Sequence, residues 1–146
     1  QKSLNILIVE DQCFEVLEEA VHAVAPNHFS EHTCDLAKTY VEARQTLCEK
    51  QYDIILLDHR LPLETLGEYP ENIGYSLIPS IKEQHPCTLI IGTSSLTASA
   101  LRGAAQPDER LPSKLSTQEA TEGLTHILDR YAKNTTTHNH SRRTYS

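Results

Sequence analysis

Three runs of near-continuous apolar residues stand out from a polar chain: Leu4-Asn5-Ile6-Leu7-Ile8-Val9, Asp53-Ile54-Ile55-Leu56-Leu57 and Thr88-Leu89-Ile90-Ile91-Gly92-Thr93. Short apolar runs of this kind suit strands covered on both faces. Between them the period changes to that of helices. Phe14, Leu17, Val21 and Val24 make a stripe over Cys13–Ala25, which Pro26-Asn27 ends. A short polar strand is expected near Phe29–Cys34. Asp35 is expected to cap a helix over Leu36–Lys50, with Leu36, Tyr40, Ala43 and Leu47 inward. A helix over Ile73–Glu83 should end before His85-Pro86, and a short helix is expected at Leu96–Leu101. A weak strand follows at Arg110–Ser113, where Pro112 suits an edge. Ser116 or Thr117 should cap a last helix over Gln118–Ala132, burying Ala120, Leu124, Ile127, Leu128 and Tyr131.

Strands alternate with helices about five times, which predicts an α/β domain: a doubly wound parallel sheet with helices on both faces. Residues 1–133 form this one domain, and 134–146 read as a disordered polar tail. Functional groups in such sheets gather at the carboxyl ends of the strands. Two of the strong strands end there on acid: Glu10-Asp11 after the first, Asp58 after the second. The Thr93-Ser94-Ser95 run ends the third.

Composition narrows the function further. The formal net charge of -7 argues against direct nucleic-acid binding. Cys13, Cys34, Cys48 and Cys87 show no Cys-x-x-Cys or zinc spacing, and read as reduced, partly buried thiols of a cytoplasmic protein. No apolar run is long enough for a signal peptide or a membrane span. The chain starts at Gln1 and contains no Met, so it is expected to be a trimmed or processed piece with flanking domains possible.

Three carboxylates at one sheet edge need an offsetting cation or a raised pKa. Unit charges about 4 Å apart repel by roughly 1 kcal/mol in water and roughly 4 at an effective dielectric of 20. Oxygen-only donors of this kind suit Mg²⁺. Asp11 and Asp58 are candidate ligands, with Glu10 bound directly or through water. An aspartate can also act as a nucleophile toward phosphorus. Phosphoryl transfer then needs a metal, a fixed cation and a hydroxyl. Lys114 is the candidate cation, and Ser94, or failing it Thr93, the candidate hydroxyl.

These residues, in this order, resemble the receiver domain of two-component response regulators. The matching segments are Ile6-Leu7-Ile8-Val9-Glu10-Asp11, Asp53-Ile54-Ile55-Leu56-Leu57-Asp58 with Leu61-Pro62, Ile90-Ile91-Gly92-Thr93-Ser94-Ser95, and Lys114, within residues 4–132. The resemblance implies a chemotaxis-regulator-like fold with five parallel strands in the order 2-1-3-4-5. It implies that Asp58 accepts a phosphoryl group from a histidine kinase or phosphotransfer protein. Mg²⁺ would be held by Glu10, Asp11, Asp58 and the backbone carbonyl of Arg60, while Ser94 and Lys114 contact the phosphoryl group. A downstream protein, not named by the sequence, would read the rearranged surface. On this reading the chain is a signalling phosphoacceptor rather than an enzyme.

Three departures from the family pattern touch the responding end. Leu115 stands where proline usually follows the lysine, and Leu111 where an aromatic switch residue usually lies. Leu96–Arg110, with Gly103 and Pro107, looks too short and broken for a full fourth helix. The loop from Leu63 to Asn72 is a further local insertion. The altered Leu96–Leu115 region favours a second reading, a receiver-like interaction module that does not switch on phosphorylation. A flavin binder or a phosphatase of related layered fold is disfavoured. Glu10-Asp11-Gln12-Cys13-Phe14 is no phosphate-cradling loop, and no second acid follows Asp58 within His59-Arg60-Leu61.

Overall fold

The protein is described here from a computed structural model covering Ser3–Tyr145, with side chains through Lys133. The expected tail, 134–146, falls outside the residues described in full. In chain order the elements are β1 (Ser3–Val9), α1 (Phe14–Val24), β2 (Glu31–Ala37), α2 (Tyr40–Glu49), β3 (Ile54–Leu57), β4 (Arg60–Leu61), β5 (Glu71–Asn72), α3 (Ile78–Gln84), β6 (Leu89–Gly92), β7 (Glu109–Arg110) and α4 (Thr117–Tyr145). Five strands form one parallel sheet in the order β2-β1-β3-β6-β7, which is the expected 2-1-3-4-5 arrangement. The two-residue strands β4 and β5 pair antiparallel as a separate hairpin at the base of the insertion.

The apolar runs are the centre of the sheet. Every residue of β3 is buried, as are Leu4 and Ile6 to Val9 of β1. Alternate residues feed two cores. On one face Leu4, Ile6, Ile8, Ile54, Leu56 and Ile91 meet Leu17, Val21 and Val24 of α1 and Leu124, Ile127 and Leu128 of α4. On the other, Leu7, Val9, Ile55, Leu57 and Ile90 meet Ala43 of α2, Ile78 and Ile81 of α3, and Tyr75.

Four expectations need correcting. The polar second strand extends through Ala37, so Asp35 does not cap a helix; its carboxylate accepts the Tyr52 hydroxyl at 2.7 Å and Lys50 Nζ at 3.0 Å. Thr39 caps α2 instead, accepting the Glu42 N–H at 3.1 Å. Thr39-Tyr40-Val41-Glu42 is a capping-box spacing. Leu96–Leu101 forms turns rather than a helix, and no described residue between β6 and β7 is helical. The last strand is shorter and earlier than Arg110–Ser113, because Pro112 cannot donate to a ladder. Finally, Cys13 and Cys34 are half-buried, but Cys48 and Cys87 are exposed; all four are free.

The insertion is closed at its base. The His59 carbonyl accepts the N–H groups of Ile73 (2.9 Å) and Gly74 (2.8 Å). The His59 ring, buried against Tyr75 at a centroid distance of 4.7 Å, accepts the Tyr75 N–H on Nδ1 at 3.0 Å. Gly74 is required here. A Cβ at this position would lie 1.9 Å from the Asp58 carbonyl oxygen.

Candidate functional site

The parallel register places the acids together. Val9 pairs with Leu57 at the carboxyl ends of β1 and β3, so Glu10, Asp11 and Asp58 emerge side by side. One carboxylate oxygen from each lies within 4.8 Å of the others. They line a cleft of about 620 Å³ with Cys13, Arg60, Pro70, Thr93, Ser94 and Lys114. Glu10 and Asp58 are nearly fully buried, and Asp11 is half-exposed at the mouth.

Lys114 joins this group from the far edge of the sheet. Its Nζ lies 2.5 Å from Glu10 Oε1 and 3.3 Å from Asp58 Oδ2. The missing proline therefore does not keep the lysine from the site, and the described peptide bonds are all trans. Backbone donors hold the other carboxylate oxygens: the His59 N–H reaches Asp58 Oδ1 at 2.8 Å, and the N–H groups of Gln12 and Cys13 reach Glu10 Oε2 at 3.3 Å.

The electrostatics are those of crowded anions. Burial, then the charge of Glu10, pushes the Asp58 carboxyl up to about 7, against the opposing pull of Lys114. Burial and Glu10 likewise raise Asp11. Burial works against the Lys114 ammonium, but Asp58 and Glu10 outweigh it and hold its pKa above the ordinary lysine value. Within the cluster itself, three carboxylates face a single ammonium. An all-oxygen donor set of this kind fits a hard dication such as Mg²⁺. Cys13 stays a thiol, since burial and Glu10 raise its pKa.

Register also places the two candidate hydroxyls at the cleft. Leu57 pairs with Gly92, so Thr93 stands beside Asp58, and its N–H donates to the Leu57 carbonyl at 2.9 Å. The Thr93 hydroxyl is buried with no hydrogen-bond partner among the described residues. The Ser94 hydroxyl lines the same cleft but accepts the Leu96 N–H at 3.1 Å. A buried orphan hydroxyl costs about 1–3 kcal/mol, so its retention beside an anion cluster points to a ligand it could meet. Arg60 lines the cleft, with its guanidinium 5.7 Å from the ring centroid of the exposed Tyr69. Pro70 brings the insertion itself to the cleft wall.

Solved structures similar to this chain include receiver domains. The receiver domain of the sensor histidine kinase PA1611 from Pseudomonas aeruginosa PAO1, crystallised with magnesium in its active site cleft, matches with a TM-score of 0.60 at 26% identity, over 90% of this chain and 98% of that one. The chain has the response-regulator receiver fold. The Francisella response regulator 1452 receiver domain matches at 0.56 and 20% identity over 90% and 98% of the two chains. A receiver domain from Methanospirillum hungatei JF-1, described as similar to CheY, matches at 0.56 and 18% over the same shares. No protein-family profile matches the sequence, and no curated protein matches it significantly.

Against the receiver fold, the responding end of this chain is plain. Leu111 is buried in the α1–α4 core, with its methyl carbon 2.9 Å from where a Cβ on Gly123 would lie. Leu115 is 87% exposed. The buried aromatic near the site comes from a different place, Tyr75, whose hydroxyl would lie 2.4 Å from a Cβ on Gly92. Its burial was not readable from the sequence, because Tyr75 follows a loop rather than a strand. No described helix is long and apolar enough to cross a membrane.

Proposed function

We propose that this chain is a phosphoacceptor of a two-component phosphorelay, with Asp58 taking a phosphoryl group from a histidine kinase or a histidine-containing phosphotransfer protein. The observation that carries it is Lys114 Nζ set between Glu10 and Asp58 in a cleft built on the carboxyl ends of two parallel strands. A lysine brought there from the opposite side of the sheet has little purpose in packing.

In the reaction, an Asp58 carboxylate oxygen attacks phosphorus, and the donor's P–N bond breaks with its electron pair returning to the imidazole. Lys114 is within reach of the incoming phosphoryl oxygens as a point charge. Ser94 and Thr93 are the two hydroxyls that could donate to the phosphoryl group: Ser94 accepts the Leu96 N–H and keeps its own O–H free, and the buried Thr93 hydroxyl has no partner among the described residues. Glu10, Asp11, Asp58 and the Arg60 carbonyl would hold Mg²⁺. Bound there, it would offset charge on the carboxylates and on the transferring group. The His59 N–H and the backbone donors on Glu10 fix the carboxylates before any donor arrives.

A second reading keeps the fold and drops the switch. It is favoured by the absence of helix among the described residues between β6 and β7, and by Leu111 in place of a movable aromatic. One transfer experiment tests the first reading. Label should pass from a phosphorylated histidine phosphotransfer protein to this chain in Mg²⁺, but not to Asp58→Asn. Absence of transfer, even with several donors and with acetyl phosphate, leaves the interaction module.

A further inference from the structure

A second cluster of ligand-type side chains lies where α1 crosses β2, on the opposite half of the sheet from the acid cleft. Glu18 and His22 stand one turn apart on α1 and so share a face. His32 and Cys34 stand two apart on β2 and point to the same side. His32 pairs with Leu4 and Cys34 with Ile6, towards the start of β1, whereas Glu10 follows its end. Ligand atoms of Glu18, His22 and Cys34 all lie within 4.8 Å of one another. His22 Nδ1 lies 2.8 Å from His32 Nε2.

We propose that Cys34, His22 and Glu18 form a binding site for a borderline-soft divalent metal, with Zn²⁺ as the fitting ion. Sulfur, nitrogen and oxygen donors in one place match zinc and not Mg²⁺. The spacing is close to what zinc needs. Zn–N bonds of about 2.0–2.1 Å at tetrahedral angles set ligand atoms about 3.3 Å apart, and the longer Zn–S bond of about 2.3 Å widens this slightly. Atoms already within 4.8 Å of one another exceed those separations by at most about 1.5 Å. His32 would act as a positioning residue: its Nε2 lies 2.8 Å from His22 Nδ1, which leaves His22 Nε2 as the nitrogen for the metal, and a ligating imidazole is usually oriented by such a bond at its other nitrogen. Glu18 and Cys34 are half-buried, and His22 is exposed, so the site has both a floor and an entry path. Three protein ligands leave a fourth position for water.

Binding replaces the Cys34 S–H proton by the metal, so one proton is released for each ion taken up. The thiol has no disulfide partner that would block this.

The test uses the full chain in millimolar Mg²⁺, so that the acid cleft does not report. Zn²⁺ affinity is read by competition with a chromophoric chelator, and Co²⁺ substitution is read by its thiolate charge-transfer absorption. The expected result is one Zn²⁺ per chain, with the thiolate band on Co²⁺ binding. Cys34→Ser should abolish the band, and Cys34→Ser and His22→Ala should each weaken Zn²⁺ by about 100-fold or more. His32→Ala should weaken it by about 10–100-fold, as loss of an outer partner does. Replacing both histidines of the polar 134–146 segment, His138→Ala and His140→Ala, should leave binding as in the parent, and far-UV circular dichroism confirms that each variant is folded. No stoichiometric uptake, or equal affinity in Cys34→Ser and the parent, would overturn the site.

Discussion

In magnesium-free buffer, Asp58→Asn should make this protein more stable, although it removes the residue on which the proposed chemistry depends. The Asp58 carboxyl sits at about 7 in the folded protein, against a reference of 3.8. A shift of roughly three units is worth roughly 4 kcal/mol at 1.36 kcal/mol per unit. The sign follows from proton binding. The folded state holds the proton more tightly than the unfolded state, so stability falls as pH rises from about 4 to about 7, and the full penalty applies above that. Asparagine resembles the protonated acid and escapes the penalty. The shift already contains the opposing pull of Lys114, so a net gain of about 2–4 kcal/mol near pH 8 is expected. Urea unfolding followed by far-UV circular dichroism reads this, the chain having no tryptophan. With a slope of about 1–3 kcal/mol/M, the midpoint should rise by about 1–3 M near pH 8 and converge on the parent only below about pH 3.8, the reference value. Saturating Mg²⁺ should narrow the gap, because an ion held by the folded parent stabilises it by mass action. A gap that ignores pH, or an Asp58→Asn protein less stable than the parent near pH 8, would refute the reasoning.

The neighbouring residues give contrasting expectations. Lys114→Met leaves buried Glu10 and Asp58 without their cation and should destabilise the Mg²⁺-free protein by about 3–5 kcal/mol near pH 8, measured by the same unfolding curves. Thr93→Val removes an orphan hydroxyl and should leave stability unchanged or raise it by about 1 kcal/mol; of Ser94→Ala and Thr93→Val, the variant that slows phosphorylation by roughly 10²-fold or more identifies the donating hydroxyl. Gly74→Ala drives a methyl group into the Asp58 carbonyl and should cost more than about 4 kcal/mol or prevent folding, seen as loss of soluble protein or of the unfolding transition.

The acid half of the site was readable from the sequence because strand ends are. An apolar run that stops at a carboxylate marks the edge of a parallel sheet, and Val9–Glu10 and Leu57–Asp58 do so unambiguously. What failed to show was set by tertiary pairing. The edge strand β2 is polar, since one side of it faces solvent, and so its extension to Ala37 hid behind a plausible cap at Asp35. The capping box at Thr39 and Glu42 was present in the sequence, but competed with that cap. Thr93 and Ser94 are both hydroxyls one residue apart, and both line the cleft. The segment Leu96–Leu101 has apolar residues at helical distance, yet Gly103 with φ of 87° and Pro107 shortly after it favour turns. Tyr75 and His59 are long-range partners, sixteen residues apart, across an insertion whose length no local rule fixes.

The central claim is that Asp58 accepts a phosphoryl group in a cleft that Lys114 and Mg²⁺ make receptive. Intact mass spectrometry after incubation with acetyl phosphate tests it most directly. With Mg²⁺, the parent chain should gain the mass of one phosphoryl group, and the adduct should be absent with chelator and in Asp58→Asn. An adduct that persists in Asp58→Asn, or a parent chain that stays unmodified in saturating Mg²⁺, would contradict it.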